Sequence, residues 1–146
     1  MSVLRLATLD QRHFHLHSSP LPQLGEYLKG LDALCRTLGV TPLSQFVDIT
    51  ALEFAEASQL LSAENVAPPK TDAETGLAWS IEDMSWYPIS TGMATMEALS
   101  GYLQRNRPRE VSGANHAQLL ETLAFCETRL RPLEAEGGQF HLAAGH

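Results

Sequence analysis

A chain of 146 residues has the length of one ordinary domain, and 44% hydrophobic with 18% charged residues suits a packed core rather than disorder. Its 17 acids against 10 bases give a formal charge of −7 with no basic run or basic helix face, which argues against a phosphate backbone as the main partner. No segment approaches the roughly 18 apolar residues of a membrane span or the cationic-then-apolar start of an export signal, so the compartment expected is the cytoplasm.

In chain order, residues 3–9, VLRLATL, fit neither the helical nor the strand period. His13, His15 and His17 follow as H-x-H-x-H; on an extended strand alternation would turn all three to one side, where imidazoles could share a zinc-like metal. The tripeptide Phe-His-Leu occurs at 14–16 and again at 140–142, and pairing of the two copies as edge strands is one reading of the ends. Segments 1–18 and 137–146 are left open between short strands and flexible ends.

From Leu24 the apolar positions Leu24, Tyr27, Leu28, Leu31, Leu34, Cys35 and Leu38 recur at spacings of three and four, which predicts a first helix. Ser19 and Pro20 suit its start, Arg36 its last turn, and Gly39 the left-handed position that ends it. A second helix is expected from Ala51 to about Glu64, with Thr50 and Glu53 as a capping box and Ile49 and Phe54 as a hydrophobic staple. Its buried side would draw on Ala51, Leu52, Phe54, Ala55, Ala57, Leu60 and Leu61.

Residues 65–75 read as a loop because Pro68 and Pro69 stop a helix. Next, Leu77, Trp79 and Ile81 alternate like a strand, but Ser80 and Asp83 have helix-start spacing, and a short helical turn over 81–87 is the reading adopted. A third helix is predicted over Gly92–Gln104, capped by Ser90 or Thr91, with Met96, Leu99 and Leu103 on one line. A fourth starts at Asn115 with Gln118 at its third position, carries Leu119, Leu120, Leu123, Cys126 and Leu130, and should end or kink near Arg131 before Pro132. Cys35 and Cys126, each among helical apolar residues, read as buried reduced thiols.

These patterns predict an all-α fold, a single-domain bundle over residues 1–146 built from four amphipathic helices. No nucleophile elbow, phosphate loop or dinucleotide motif is present, so no catalytic residue and no cofactor is assigned, and an enzyme is the less favoured class. Glu82 and Asp83 are adjacent, and neighbours on a helix diverge by about 100°, a poor arrangement for shared acid–base work. His116 reads as a surface residue.

The unusual stretch is WSIEDMSWYP. Large aromatics there could close one end of the bundle, their polar tips reaching backbone groups, or they could anchor a partner. The reading adopted is a small soluble interaction module (adaptor, accessory subunit or inhibitor-type) that binds another, basic protein. Trp79, Glu82, Asp83, Trp86 and Tyr87 would be its partner-binding residues, with Asp72 and Glu74 extending the acidic rim. The alternative is a metal-binding protein or metal-dependent enzyme using His13, His15 and His17.

Overall fold

The structure is a computed structural model that describes residues 3–63 and 70–145, the side chains of 61–63 excepted. It corrects the all-α expectation, because a five-stranded sheet, with strands from both ends of the chain and two short ones from its middle, stands beside the helices. The strands are β1 (Val3–Asp10), β2 (His13–Leu16), β3 (Val47–Asp48), β4 (Tyr87–Pro88) and β5 (Gln139–Gly145). The helices are α1 (Leu28–Leu38), α2 (Thr50–Ala63), α3 (Ile89–Arg105) and α4 (His116–Glu134).

β1 and β5 pair antiparallel along their length, from Val3 opposite Gly145 to Leu9 opposite Gln139. β2 returns along the other edge of β1 through a two-residue turn at Gln11 and Arg12, both with positive φ as a primed hairpin turn requires. On the far edge of β5, β3 pairs in parallel at Leu142 and Ala143 while β4 pairs antiparallel at Phe140 and Gln139. The two Phe-His-Leu copies therefore do not pair with each other: Leu16 and His141 both face Ala7, from opposite edges of β1.

Both terminal strands escape a periodicity reading for one physical reason. A strand in the middle of a sheet covered on both faces has no polar side, so alternation is lost, and the pairing of the chain ends leaves no local trace. Leu4, Leu6, Phe140, Leu142 and Ala144 make the inner face, buried in one cluster with residues of α1, α3 and α4. At Gly92 an added Cβ would lie 2.3 Å from the Phe140 ring, so the absence of a side chain is what lets α3 settle on β5.

The helices are found where the apolar spacing put them, with corrections at their ends. α1 starts at Leu28 rather than near Ser19, because the preceding residues turn: Leu21 N–H bonds the Leu4 carbonyl at 2.8 Å and Gln23 has φ 68°. Leu24 is buried all the same, and Gly39 ends the helix at φ 75° as expected. α3 starts at Ile89, three residues early, its first N–H bonded to the Gly138 carbonyl at 3.3 Å instead of being capped by Ser90 or Thr91. Asn115 caps α4 as expected, its side chain accepting from Gln118 N–H at 3.1 Å. Pro132 does not end that helix, which runs on to Glu134 although the proline has no N–H to give to the Thr128 carbonyl one turn back.

α2 departs most from the bundle picture. It packs on β5, with Ala51, Leu52, Phe54 and Ala55 half-buried, but Ala57 is exposed and Leu60 is 65% exposed. Ile49 is 52% exposed, and the Thr50 hydroxyl turns to Asp48 rather than to Glu53. The expected contribution of Leu61, the fading at Glu64 and the loop residues 65–69 lie outside the described residues. Cys35 and Cys126 are free, buried thiols, pushed up to about 11 and about 12 by loss of solvent.

Candidate functional site

Alternation along the strands gives the sheet an outer face carrying Ala7, Phe14, Leu16, His141 and Ala143, opposite to α1, α3 and α4 and shared with the start of α2. Asp48 joins them because its register partner is Ala143. The connector from Lys70 to Tyr87 covers this face. Its start is shaped by Asp72, whose carboxylate accepts from Glu74 N–H at 2.9 Å and Thr75 N–H at 3.1 Å, followed by Gly76 at φ 71°. A 3-10 turn then forms at Ile81–Asp83, shorter than the turn over 81–87 expected because the chain is extended from Met84 into β4, with Ser80 N–H donating to Asp83 Oδ2 at 2.9 Å.

The aromatic residues of the connector do not form one patch. Trp79 packs on Phe54 of α2, ring centroids 5.1 Å apart. Trp86 lies over the sheet, 4.4 Å from the His141 ring and 6.0 Å from Phe14, with its indole N–H donating to the Ile81 carbonyl at 2.9 Å. Tyr87, in β4, is opposite Phe140 and packs on Phe46 at 5.6 Å, toward the inner core. All three rings keep partial exposure, while Ile81 and Met84 are buried beneath them.

Glu82 and Asp83 are both exposed, but neither is unattended. Arg12, held up by the hairpin turn, bridges Glu74 and Glu82, with an Nη1 to Glu82 Oε1 distance of 2.7 Å and an Nε to Glu74 Oε2 distance of 2.9 Å. The guanidinium holds both carboxyls below their ordinary range and is itself raised. Asp83 is turned back onto Ser80.

Below the connector is a polar centre that the spacing of apolar residues could not reveal. Asp48 is 5% exposed, and its Oδ1 accepts from Ser85 N–H at 2.9 Å while Oδ2 accepts from Thr50 N–H at 3.2 Å. The Thr50 hydroxyl shares its proton between Asp48 Oδ1 at 2.9 Å and the Asp83 carbonyl at 3.2 Å. One buried carboxylate thus ties the start of α2 to the end of the connector, and its donors offset the cost of removing its charge from water. Beside it, His141 is 1% exposed, with Nε2 3.9 Å from Asp48 Oδ2 and Nδ1 without a hydrogen-bond partner among the described residues. Burial holds His141 below the ordinary histidine value, against the opposing pulls of Asp48 and of the Ser85 backbone. A cavity of about 30 Å³ opens beside the ring, lined by Phe14, Leu16, Ala51, Leu77, Trp79 and Met84 among others.

The N-terminal histidines are on the other side. β2 is a strand, as their shared orientation needed, and the His15 and His17 rings are 4.2 Å apart, with His17 packed on Phe125 of α4. The register puts His15 opposite Thr8 on the helix side, so the sheet separates this group from His141. Among the described residues no group of three or more His, Cys, Asp or Glu side chains is placed to hold a metal ion. His116 is half-buried rather than superficial, its ring against the Leu103 carbonyl.

Sequence reasoning missed Asp48, Thr50 as its partner, His141 and Arg12. The D-x-T spacing at 48–50 was a usable signal for a carboxylate capping the following helix; nothing local marked His141 or Arg12. No family model, curated protein or solved structure matches the chain. Among the described residues no helix is long and apolar enough to cross a membrane.

Proposed function

We propose that the protein is a small interaction module that engages a basic protein partner through the connector and the hairpin turn beside it. Trp79 and Trp86 would supply aromatic edges, and Glu74, Glu82 and Asp83 the acidic rim; Tyr87, turned toward the core, would position β4 rather than touch the partner. The observation that supports this reading is that the acidic connector is fixed before any partner arrives. Arg12 fastens it from the hairpin and Asp48 from beneath. A surface held in place loses little conformational freedom on binding, which is how preorganisation converts modest contacts into affinity. The formal charge of −7 would draw a basic partner toward it.

The test is quantitative capture of proteins from the native organism with the wild type, with Glu82→Lys, and with Glu121→Lys as a charge-matched control on α4. A basic partner retained by the wild type and the control but lost by Glu82→Lys, with unchanged circular dichroism, supports the reading. An identical partner set for all three contradicts it.

A further inference from the structure

The connector is fastened over a buried histidine, a residue type whose ordinary value of 6.5 lies near neutrality. His141 points out of β5 into the space closed by Trp86 and the residues around the small cavity. Phe14 and Leu16 from β2, Ala51 from α2, and Leu77, Trp79 and Met84 from the connector carry no charge. Arg5 on β1 is engaged with the Ser18 carbonyl, Glu53 of α2 is exposed, and Asp83 is exposed and turned onto Ser80. Among the described residues around the ring, Asp48 is therefore the charged group that faces it, at 3.9 Å.

We propose that the connector is a proton-operated cover: charging His141 loosens residues 77–87 from the outer face of the sheet. A second proton on the imidazole turns a ring with one unpartnered nitrogen into a cation with two donors in a site closed from bulk solvent. Two responses relieve it. The ring closes on Asp48, which then competes with Thr50 and Ser85 for the same carboxylate oxygens, or the cover opens and admits water. Both weaken the anchor at Ser85 and the ring contact of Trp86 with His141, so both end in a looser connector.

The sign follows from linkage. Burial depresses the affinity of His141 for a proton in the closed form, and opening restores it toward the ordinary value of 6.5. Opening therefore takes up a proton. The closed form has its full advantage above that value, loses it as pH falls through the window below, and stops losing it once the closed-form site is itself charged. Its meaning for partner binding rests on the function proposed above, because the cover is that same surface; the loosening itself does not.

The test uses the intact protein without any partner. Amide exchange of residues 77–87 is followed from pH 7.5 to 5.5 and corrected for the intrinsic pH dependence of exchange. Protection should fall by up to about tenfold per pH unit below about 6.5, while amides of β1 and β5 stay protected. In His141→Gln the pH dependence should vanish, which separates His141 from His13, His15, His17 and His116. A histidine NMR titration of the wild type guards against a variant that repacks: the His141 ring should titrate below the exposed histidines and in step with connector exchange. Connector protection that ignores pH, or a dependence that survives in His141→Gln, overturns the proposal. If the cover loosens as expected but no basic partner is ever captured, the switch stands and the proposed function falls.

Discussion

The inner face of the sheet meets α1, α3 and α4 through Leu4, Leu6, Phe140, Leu142 and Ala144, whereas the outer face meets the connector around His141, Asp48 and Trp86. The first contact is apolar on both sides and gains from every buried methylene. The second spends part of its burial on a carboxylate and an imidazole, whose desolvation cancels much of what their bonds return. One sheet thus carries a face packed through apolar side chains and a face whose cover is fastened through a buried carboxylate beside an imidazole.

That contrast can be broken first at its strong side. Phe140→Ala removes the ring that fills the space left by Gly92 and should cost about 3–5 kcal/mol in urea unfolding, the usual range for a deleted core aromatic. A loss below about 1 kcal/mol would mean the inner face is not close-packed. Asp48→Ala strips three donors of their acceptor and should cost about 2–3 kcal/mol, given about 1.5–3 kcal/mol for hydrogen bonds to charged groups. Its signature is regional: connector amides should lose protection before those of β1 and β5.

A smaller loss is expected from Gly92→Ala. Overpacking against Phe140 costs about 1–3 kcal/mol, and alanine's better helix propensity returns about 1 kcal/mol. Thermal unfolding should show net destabilisation, and a stabilised variant would refute the close approach of α3 to β5. The smallest effect belongs to Arg12→Ala: with both partners exposed, the unfolding midpoint should stay put, while connector exchange quickens at low salt and the difference fades at high salt.

What the sequence made legible divides along the same line. The stripes of Leu31, Leu34 and Cys35, of Met96, Leu99 and Leu103, and of Leu119, Leu123 and Cys126 repeat locally, so the cores of α1, α3 and α4 could be read directly. The sheet could not, because β1 and β5 lie at opposite ends of the chain and each is covered on both sides. α2 misled for the opposite reason: Ala57 and Leu60 look like core residues but face solvent, since the helix rests on β5 rather than among other helices. In the connector the division of the aromatic residues was not visible, because the tertiary partners Phe54, His141 and Phe46 decide which way each ring turns.

The account turns on the chain ends meeting to form a sheet with two unlike faces. Through-space NMR contacts in the wild-type protein test this most directly. Cross-strand contacts between residues 3–9 and 139–145, together with contacts from the His141 ring to the Trp86 indole and from Phe140 to α3 at Gly92, are the pattern predicted. Terminal segments without mutual contacts, or a His141 ring with contacts to α3 instead of Trp86, would contradict it.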